Sequence, residues 1–246
     1  MPVPGPRLIV AALPAPGQTA RIDGGEAAHA RARRMAEGDA VILIDGSGRE
    51  AVGRIVRVAR AHCEVRVESV RGAPPDSAPN LHLLVGALRV ERLCWIAEKA
   101  AELGAARLTL VATERTQSFR ARDGLVPRLE RIVRESAKQS RAARFTAVDG
   151  PVALLDALGA GSAARLLLDP GGEPFPAALP PGGTAILVGP EGGFTDAERD
   201  AARGSGWLTV SLPAGVVRAE TAAIAAMVLA RAAALRSGTT GPLDSR

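Results

Sequence analysis

The chain contains no tyrosine, and only four phenylalanines and two tryptophans in 246 residues. So few aromatics argue against the stacking platforms on which single-strand nucleic-acid binders lay successive bases. Cysteine is as scarce. Cys63 and Cys94 lack CxxC spacing and are accompanied by only three histidines, which argues against a disulfide framework and a structural zinc and predicts two buried free thiols and no metal. No apolar run reaches the roughly 18 residues that span a bilayer, so no membrane partner is expected. The opening MPVPGPRLIVAALPAPG lacks the charged start and long apolar core of an export signal, and a cytoplasmic protein is expected. The phosphate-binding pattern GxxxxGK[ST] is absent, as is the dinucleotide pattern GxGxxG; Leu158-Gly-Ala-Gly161 imitates the latter only in part and precedes its strand instead of following it.

Lysine is nearly missing too, with Lys99 and Lys138 the only two among 31 cationic residues in a chain of net charge +5. Codon bias can enrich arginine anywhere, but it does not explain the distribution. Residues 89–144 carry about +6 and residues 145–246 about −3, an asymmetry that favours a polyanionic partner. The concentration has a shape: Arg128, Arg131, Arg134, Lys138 and Arg141 recur every three or four residues, opposite an apolar face of Leu129, Ile132, Val133 and Ala137. Glu130 and Glu135 relieve the repulsion only partly, and Arg115, Arg120, Arg122 and Arg144 flank the stripe. Phosphate contact is the expectation, against the plainer reading of a solvated helix face.

Two domains are predicted. Residues 1–72 read as a small β-rich unit with strands over Leu8–Leu13, Ala40–Asp45, Val52–Ala59 and Glu64–Val70, a hairpin signal at Asp45-Gly46-Ser47-Gly48 and a short helix over His29–Met35. Residues 73–79, rich in proline and small polar residues, form the expected linker. Over 80–246 strands alternate with helices. Short apolar runs at Leu81–Leu88, Leu108–Ala112, Arg165–Asp169, Ala185–Val188 and Leu208–Leu212, and a weaker one at Phe145–Val148, are separated by helices near Val90–Leu103, Val126–Arg141, Asp196–Gly204 and Glu220–Arg236. This is the signature of an α/β fold with a parallel sheet.

Two segments of that domain carry candidate chemistry. Gly189-Pro190-Glu191-Gly192-Gly193 leaves the strand Ala185–Val188, and Thr195 follows as the expected N-cap of the next helix. A glycine-rich loop at the carboxyl end of a parallel strand is where open α/β sheets bind ligands. Leu212-Pro-Ala-Gly-Val-Val-Arg218-Ala-Glu220-Thr221-Ala222 likewise leaves a strand and enters a helix, with Arg218 and Glu220 close enough to face one pocket. Each alone also fits a tight turn or a capped helix; together, at one sheet edge, they point to a shared site.

The chain resembles the bacterial 16S rRNA uracil-N3 methyltransferases, the RsmE family of the SPOUT superfamily. The resemblance rests on His29 and Arg34 before Gly38-Asp39 and Asp45-Gly46, on Lys99-Ala-Ala-Glu102-Leu103-Gly104, Glu114-Arg115-Thr116 and Gln139-Ser140, and above all on Leu187–Gly193 and Arg218-Ala-Glu220-Thr221-Ala222. It implies a PUA-like β-barrel before a SPOUT α/β domain with a deep trefoil knot, a homodimer, S-adenosylmethionine as methyl donor, and ribosomal RNA, within a small-subunit particle, as substrate. For the cofactor it implies Leu168, Asp169, Leu187, Val188, Gly189, Pro190, Glu191, Gly192, Gly193, Ser211, Leu212, Ala214, Val217, Arg218, Thr221 and Ala222. For RNA, with the basic stripe, it implies His29, Arg31, Arg34, Arg89 and Arg115. Arg218 and Glu220 are the expected catalytic pair, with the arginine stabilising a uracil anion and the carboxylate taking the N3 proton or holding Arg218 in place. The sequence departs from the family at Leu212-Pro213-Ala214-Gly215, at Arg89, where a lysine is usual, and at Lys138, where an acid is usual. A SPOUT enzyme for another nucleotide, or an RNA-binding assembly protein that kept the fold, are the alternative readings.

Overall fold

The computed structural model describes residues 5–72, 80–116 and 124–238. The expected linker, Arg120 and Arg122 lie outside the described residues. Contacts divide the chain into two units, Met1–Asp76 with Arg134–Phe145, and Ser77–Val133 with Thr146–Arg246. No single cut in the sequence separates them, because the second half of one helix, Leu125–Ser140, groups with the first unit.

The first unit runs β1 (Arg7–Ile9), β2 (Thr19–Asp23), α1 (Gly24–Ala32), β3 (Ala40–Ile44), β4 (Arg49–Val58) and β5 (His62–Gly72). These strands form a five-stranded half-barrel sheet in the order β1-β3-β4-β5-β2, antiparallel except for β1 against β3. Leu8, Ile22, Leu43, Ile55, Val65 and Val67 build its core, and Cys63 sits among them, its thiol pushed up by burial. Cys94, expected buried, is only partly so. The Asp45–Gly48 hairpin forms as read. Gly46 and Gly48 take positive φ, and Asp45 accepts from the Ser47 amide at 2.9 Å. Burial raises the Asp45 carboxyl, but the hydrogen bonds from Ser47 and Leu13 outweigh it and leave the pKa below the ordinary value.

The helix expected over His29–Met35 is displaced: it spans Gly24–Ala32. The Gly24-Gly25 pair, poor in helix propensity, hid its start. Its end is a Schellman motif, with Arg34 N–H donating to the Arg31 carbonyl and Met35 N–H to that of Ala30 while Arg34 adopts φ 57°. β2 was not foreseen, because Thr-Ala-Arg-Ile-Asp offers only Ala20 and Ile22 to the core.

The second unit runs β6 (Leu81–Gly86), α2 (Val90–Glu102), β7 (Arg107–Ala112), a 3-10 turn (Glu114–Thr116), α3 (Leu125–Ser140), β8 (Ala147–Ala153), α4 (Leu154–Ala157), β9 (Ala164–Pro174), β10 (Thr184–Val188), α5 (Asp196–Gly204), β11 (Leu208–Ser211) and α6 (Ala219–Gly238). Its six strands are all parallel, in the order β11-β9-β10-β6-β7-β8. β10 is buried along its whole length, which is why the sequence after Thr184 is an unbroken apolar run. As read, Gly104 ends α2 in a left-handed turn. The weak run Phe145–Val148 lies earlier than the strand it announced, since β8 occupies Ala147–Ala153.

The strand read as ending at Asp169 runs on to Pro174. The chain does not leave the strand. The register with β11 jumps from Thr209↔Leu167 to Val210↔Glu173, so residues 168–172 form a bulge on the β11 side, while Leu168 stays paired with Val188 of β10. Gly172 permits the return, because a Cβ there would lie 2.7 Å from the Val210 backbone.

Candidate functional site

At the carboxyl ends of β9, β10 and β11 lies a cavity of about 640 Å³, within the usual size range of small-molecule sites. Val188, Gly189, Pro190, Glu191, Gly193 and Phe194 form one wall, and Val210–Leu212 with Ala214–Ala219 and Ala222 form another. Leu168, Asp169 and Pro170 of the β9 bulge line the space as well.

The glycine-loop wall is braced at many points. Gly86 at the end of β6 lets the loop approach, since a Cβ there would lie 2.7 Å from the nitrogen and Cδ of Pro190. The Phe194 ring is buried in the core beneath the loop. Thr195 caps α5 in a capping box with Glu198. The buried Glu198 carboxylate also accepts from the Glu114 amide at 2.8 Å, and Thr195 Oγ1 donates to Glu114. Arg115 donates to the Gly192 carbonyl. On the other side, Arg199 Nη1 reaches the Phe194 carbonyl at 2.8 Å and Asp169 at 3.1 Å, while its Nη2 reaches Asp196 at 2.5 Å. These carboxylates, Asp196 first, hold the guanidinium above its ordinary pKa.

The site therefore fits a ligand with an apolar body and several polar groups. Bare backbone at Gly189 and Gly193, the acids Asp169 and Glu191, and the cations Arg92 and Arg218 face one space. Glu220 Oε2 is buried without a hydrogen-bond partner among the described residues, an acceptor left free. Such a mixture of bare backbone, acids and cations suits a zwitterionic nucleoside-sized molecule.

Of the expected cofactor residues, the structure brings Leu168, Asp169, Val188, Gly189, Pro190, Glu191, Gly193, Ser211, Leu212, Ala214, Val217, Arg218 and Ala222 to this cavity. The Leu187 side chain instead belongs to the core, Gly192 turns its carbonyl to Arg115, and Thr221 is exposed outside the lining. Glu220 was expected to face the pocket, there to take the N3 proton or to hold Arg218 in place. It lies behind the lining, and its cationic neighbour is Arg92, with Glu220 Oε1 3.6 Å from Arg92 Nε. Arg92 was missed altogether. Its sequence context is an ordinary helix start, and nothing local signals that α2 opens beside the cavity.

Among the residues expected to meet RNA, Arg31, Arg34, Arg89, Arg128, Arg131, Arg134 and Arg141 are exposed and join no ion pair among the described residues, and His29 is half-buried. Arg115 is exposed but fastened to the glycine loop. Lys138 stands apart: its side chain is 8% exposed and pairs with both Glu26 at 2.8 Å and Glu135 at 2.7 Å. Burial lowers its pKa, and the hydrogen bonds its ammonium donates to these two carboxylates more than reverse that. The periodicity that placed Lys138 on the stripe could not reveal a partner drawn from α1.

The RNA methyltransferase domain family matches residues 75–231, and the RNA methyltransferase PUA domain family matches residues 22–68. The chain is 31% identical over 249 residues to ribosomal RNA small subunit methyltransferase E of Mycobacterium bovis, covering 95% of this chain and 90% of that one. It is 30% identical over 208 residues to the protein of the same name from Aquifex aeolicus, covering 81% and 88%. A Legionella pneumophila structure, described as a methyltransferase with the bound cofactor SAM, is similar with TM-score 0.82 and 29% identity, over 92% of this chain and 97% of that one. The fold is also that of ribosomal RNA small subunit methyltransferase E from Neisseria gonorrhoeae bound to S-adenosyl methionine, at TM-score 0.83 and 23% identity over 91% and 95%.

Proposed function

Since this chain belongs to the ribosomal RNA small subunit methyltransferase E family of RNA methyltransferases, we propose that it methylates N3 of a specific uridine in small-subunit (16S) ribosomal RNA with S-adenosylmethionine as donor. It is a SAM-dependent RNA methyltransferase. The observation that carries the reading is the single cavity in which the glycine loop, the β9 bulge and Arg218 converge.

When bound, S-adenosylmethionine supplies an electrophilic methyl group on a sulfonium. Gly189–Gly193, the 168–170 bulge and Ser211–Val217 hold the cofactor in this reading. Arg218 does the electrostatic work on the other reactant. Uracil N3 carries a proton and attacks well only after losing it, and the anion spreads onto the flanking carbonyl oxygens. A guanidinium beside those oxygens favours that anion. Arg218 is exposed and without an ion-pair partner among the described residues, so its charge is available for this role. Glu220 keeps one free carboxylate oxygen but stands outside the cavity lining, so in this reading it supports the wall that carries Arg218, and the N3 proton leaves to solvent. The exposed arginines Arg31, Arg34, Arg89, Arg128, Arg131, Arg134 and Arg141 contact phosphates, and Lys138 serves its own unit through its two ion pairs.

The reading extends to a cytoplasmic homodimer, a trefoil-knotted second domain and an assembling small subunit as the substrate particle. The exposed Trp95 on α2 and Val228 on α6, helices that pack on each other, supply apolar surface a second copy would cover. No helix among the described residues is long and apolar enough to cross a membrane.

The test is methylation of undermodified small subunits and of naked 16S rRNA, mapped by mass spectrometry, with S-adenosylmethionine binding measured by calorimetry. A single new methyl on a uridine N3 is expected. A methyl on another nucleotide replaces the substrate assignment, and a folded protein that binds no cofactor sinks the reading.

A further inference from the structure

Arg92 occupies an unfavourable place for a cation. It lies in the first turn of α2, whose other face buries Leu93, Ile96, Ala97 and Ala100, and a helix N-terminus favours anions over cations. The compensation comes from outside the helix. Arg92 Nη1 donates to Glu191 Oε1 at 2.7 Å, and Nε lies 3.6 Å from Glu220 Oε1. Glu191 belongs to the glycine loop and Glu220 to the first turn of α6, where a carboxylate is well placed for that helix's dipole. One guanidinium thus ties together three elements that are far apart in sequence. It is 26% exposed and lines the cavity itself.

The contact differs in kind from the other braces of the glycine loop. Arg115 and Arg199 hold the loop's backbone carbonyls, Arg199 with Asp169 and Asp196 besides, whereas Arg92 joins the loop to α6, the helix whose approach carries Arg218. Gly86 brings Pro190 against the end of β6 only four residues before α2 begins, so the start of α2 and the loop are held at close range. A forked donor can reach two carboxylates through separate nitrogens, which a single ammonium does less well.

We infer that Arg92 is a positioning residue: by bridging Glu191 and Glu220 it sets the distance between the two walls of the cavity and thereby fixes cofactor affinity. This rests on the methyltransferase reading above. Arg92 need not touch the reacting atoms, so its removal weakens cofactor binding more than it slows the bound enzyme.

The experiment compares the full-length wild type with Arg92→Ala, Arg92→Lys, Glu191→Gln and the Arg92→Ala/Glu191→Gln double variant. Calorimetric Kd for S-adenosylmethionine is measured beside Tm, with kcat and KM on ribosomal RNA. Arg92→Ala is expected to raise Kd about tenfold, the scale of one charge-assisted hydrogen bond, with kcat changed less than KM for the cofactor. Glu191→Gln should raise Kd similarly, and the double variant should be no worse than the poorer single one, because both remove the same contact. Arg92→Lys should recover Tm and only part of the affinity. Unchanged Kd in a folded Arg92→Ala overturns the inference, and so do multiplying losses in the double variant or full recovery of affinity by lysine. If Arg92→Ala does not fold, Glu191→Gln and Arg92→Lys decide by the same criteria. Wild type that binds no S-adenosylmethionine overturns the methyltransferase reading as well, whereas a binding wild type with an indifferent Arg92 overturns this inference alone.

Discussion

The two walls of the cavity are built in opposite ways. The glycine loop is fixed by a capping box, a buried carboxylate shared with the 114–116 turn, three arginines and a phenylalanine driven into the core. Facing it, residues 213–218 are exposed, and Val216 is 88% so. The first wall is finished before any ligand arrives, and the second has its surface still to bury. A preformed wall lowers the ordering cost of binding, while an open one lets a ligand enter and then gains contacts around it. The reactive cation, Arg218, sits on the open wall, where its position can still adjust to two reactants.

Substitutions on the two walls should therefore separate stability from function. The largest expected effect is on the open wall. Arg218→Ala should lower kcat by about a hundredfold or more, the usual cost of one transition-state donor, and leave Tm unchanged. Near-normal turnover at saturating cofactor and RNA removes Arg218 from the chemistry. Next is Gly86→Ala, which forces a methyl group against the Pro190 backbone. A loss of about 1–3 kcal/mol in chemical denaturation is expected, together with weaker cofactor binding, and a neutral result would show that the loop is not held by that close approach. Glu198→Ala removes the acceptor for the Glu114 and Thr195 amides and should cost about 1–3 kcal/mol of stability, read as a lower Tm. If Tm holds and only Kd rises, the braced wall is not braced there. The smallest effect belongs to Val216→Ser. Stability should stay within about 0.5 kcal/mol, as for most surface changes, while the cofactor Kd rises a few-fold. A drop in Tm would mean that the open wall is packed in solution and the contrast fails.

Much of this was legible beforehand, for local reasons. A parallel strand covered on both faces is mostly apolar, so Ala185–Val188 announced itself, and the glycines after it could serve only a turn or a ligand. Thr195 was legible as an N-cap, and Glu198, three residues on, completes a capping box with it. Where local signals were weak or misleading, the reading slipped. Gly24-Gly25 concealed the start of α1, and the alternating face of β2 was too short to notice. The apolar run stopped at Asp169, although β9 continues through Pro170-Gly171-Gly172 to Pro174. The stripe on α3 gave every cation the same standing, although Lys138 is neutralised by Glu26, more than a hundred positions away.

What the sequence alone determined is the alternation of strands and helices in the second unit and the type of site: an α/β sheet, a glycine loop at its ligand edge, and an arginine and a glutamate at the entrance to the last helix. Periodicity and turn chemistry are properties of neighbours in the chain, and they can be read there. Only the tertiary structure decided which charges meet. Arg92 belongs to the site because the strand order β11-β9-β10-β6-β7-β8 sets β6, and with it the start of α2, directly beside β10. Glu220 faces Arg92 and not Arg218 for the same reason. Electrostatic partnership falls off within a few ångströms and is indifferent to sequence separation, so no local pattern could have assigned it.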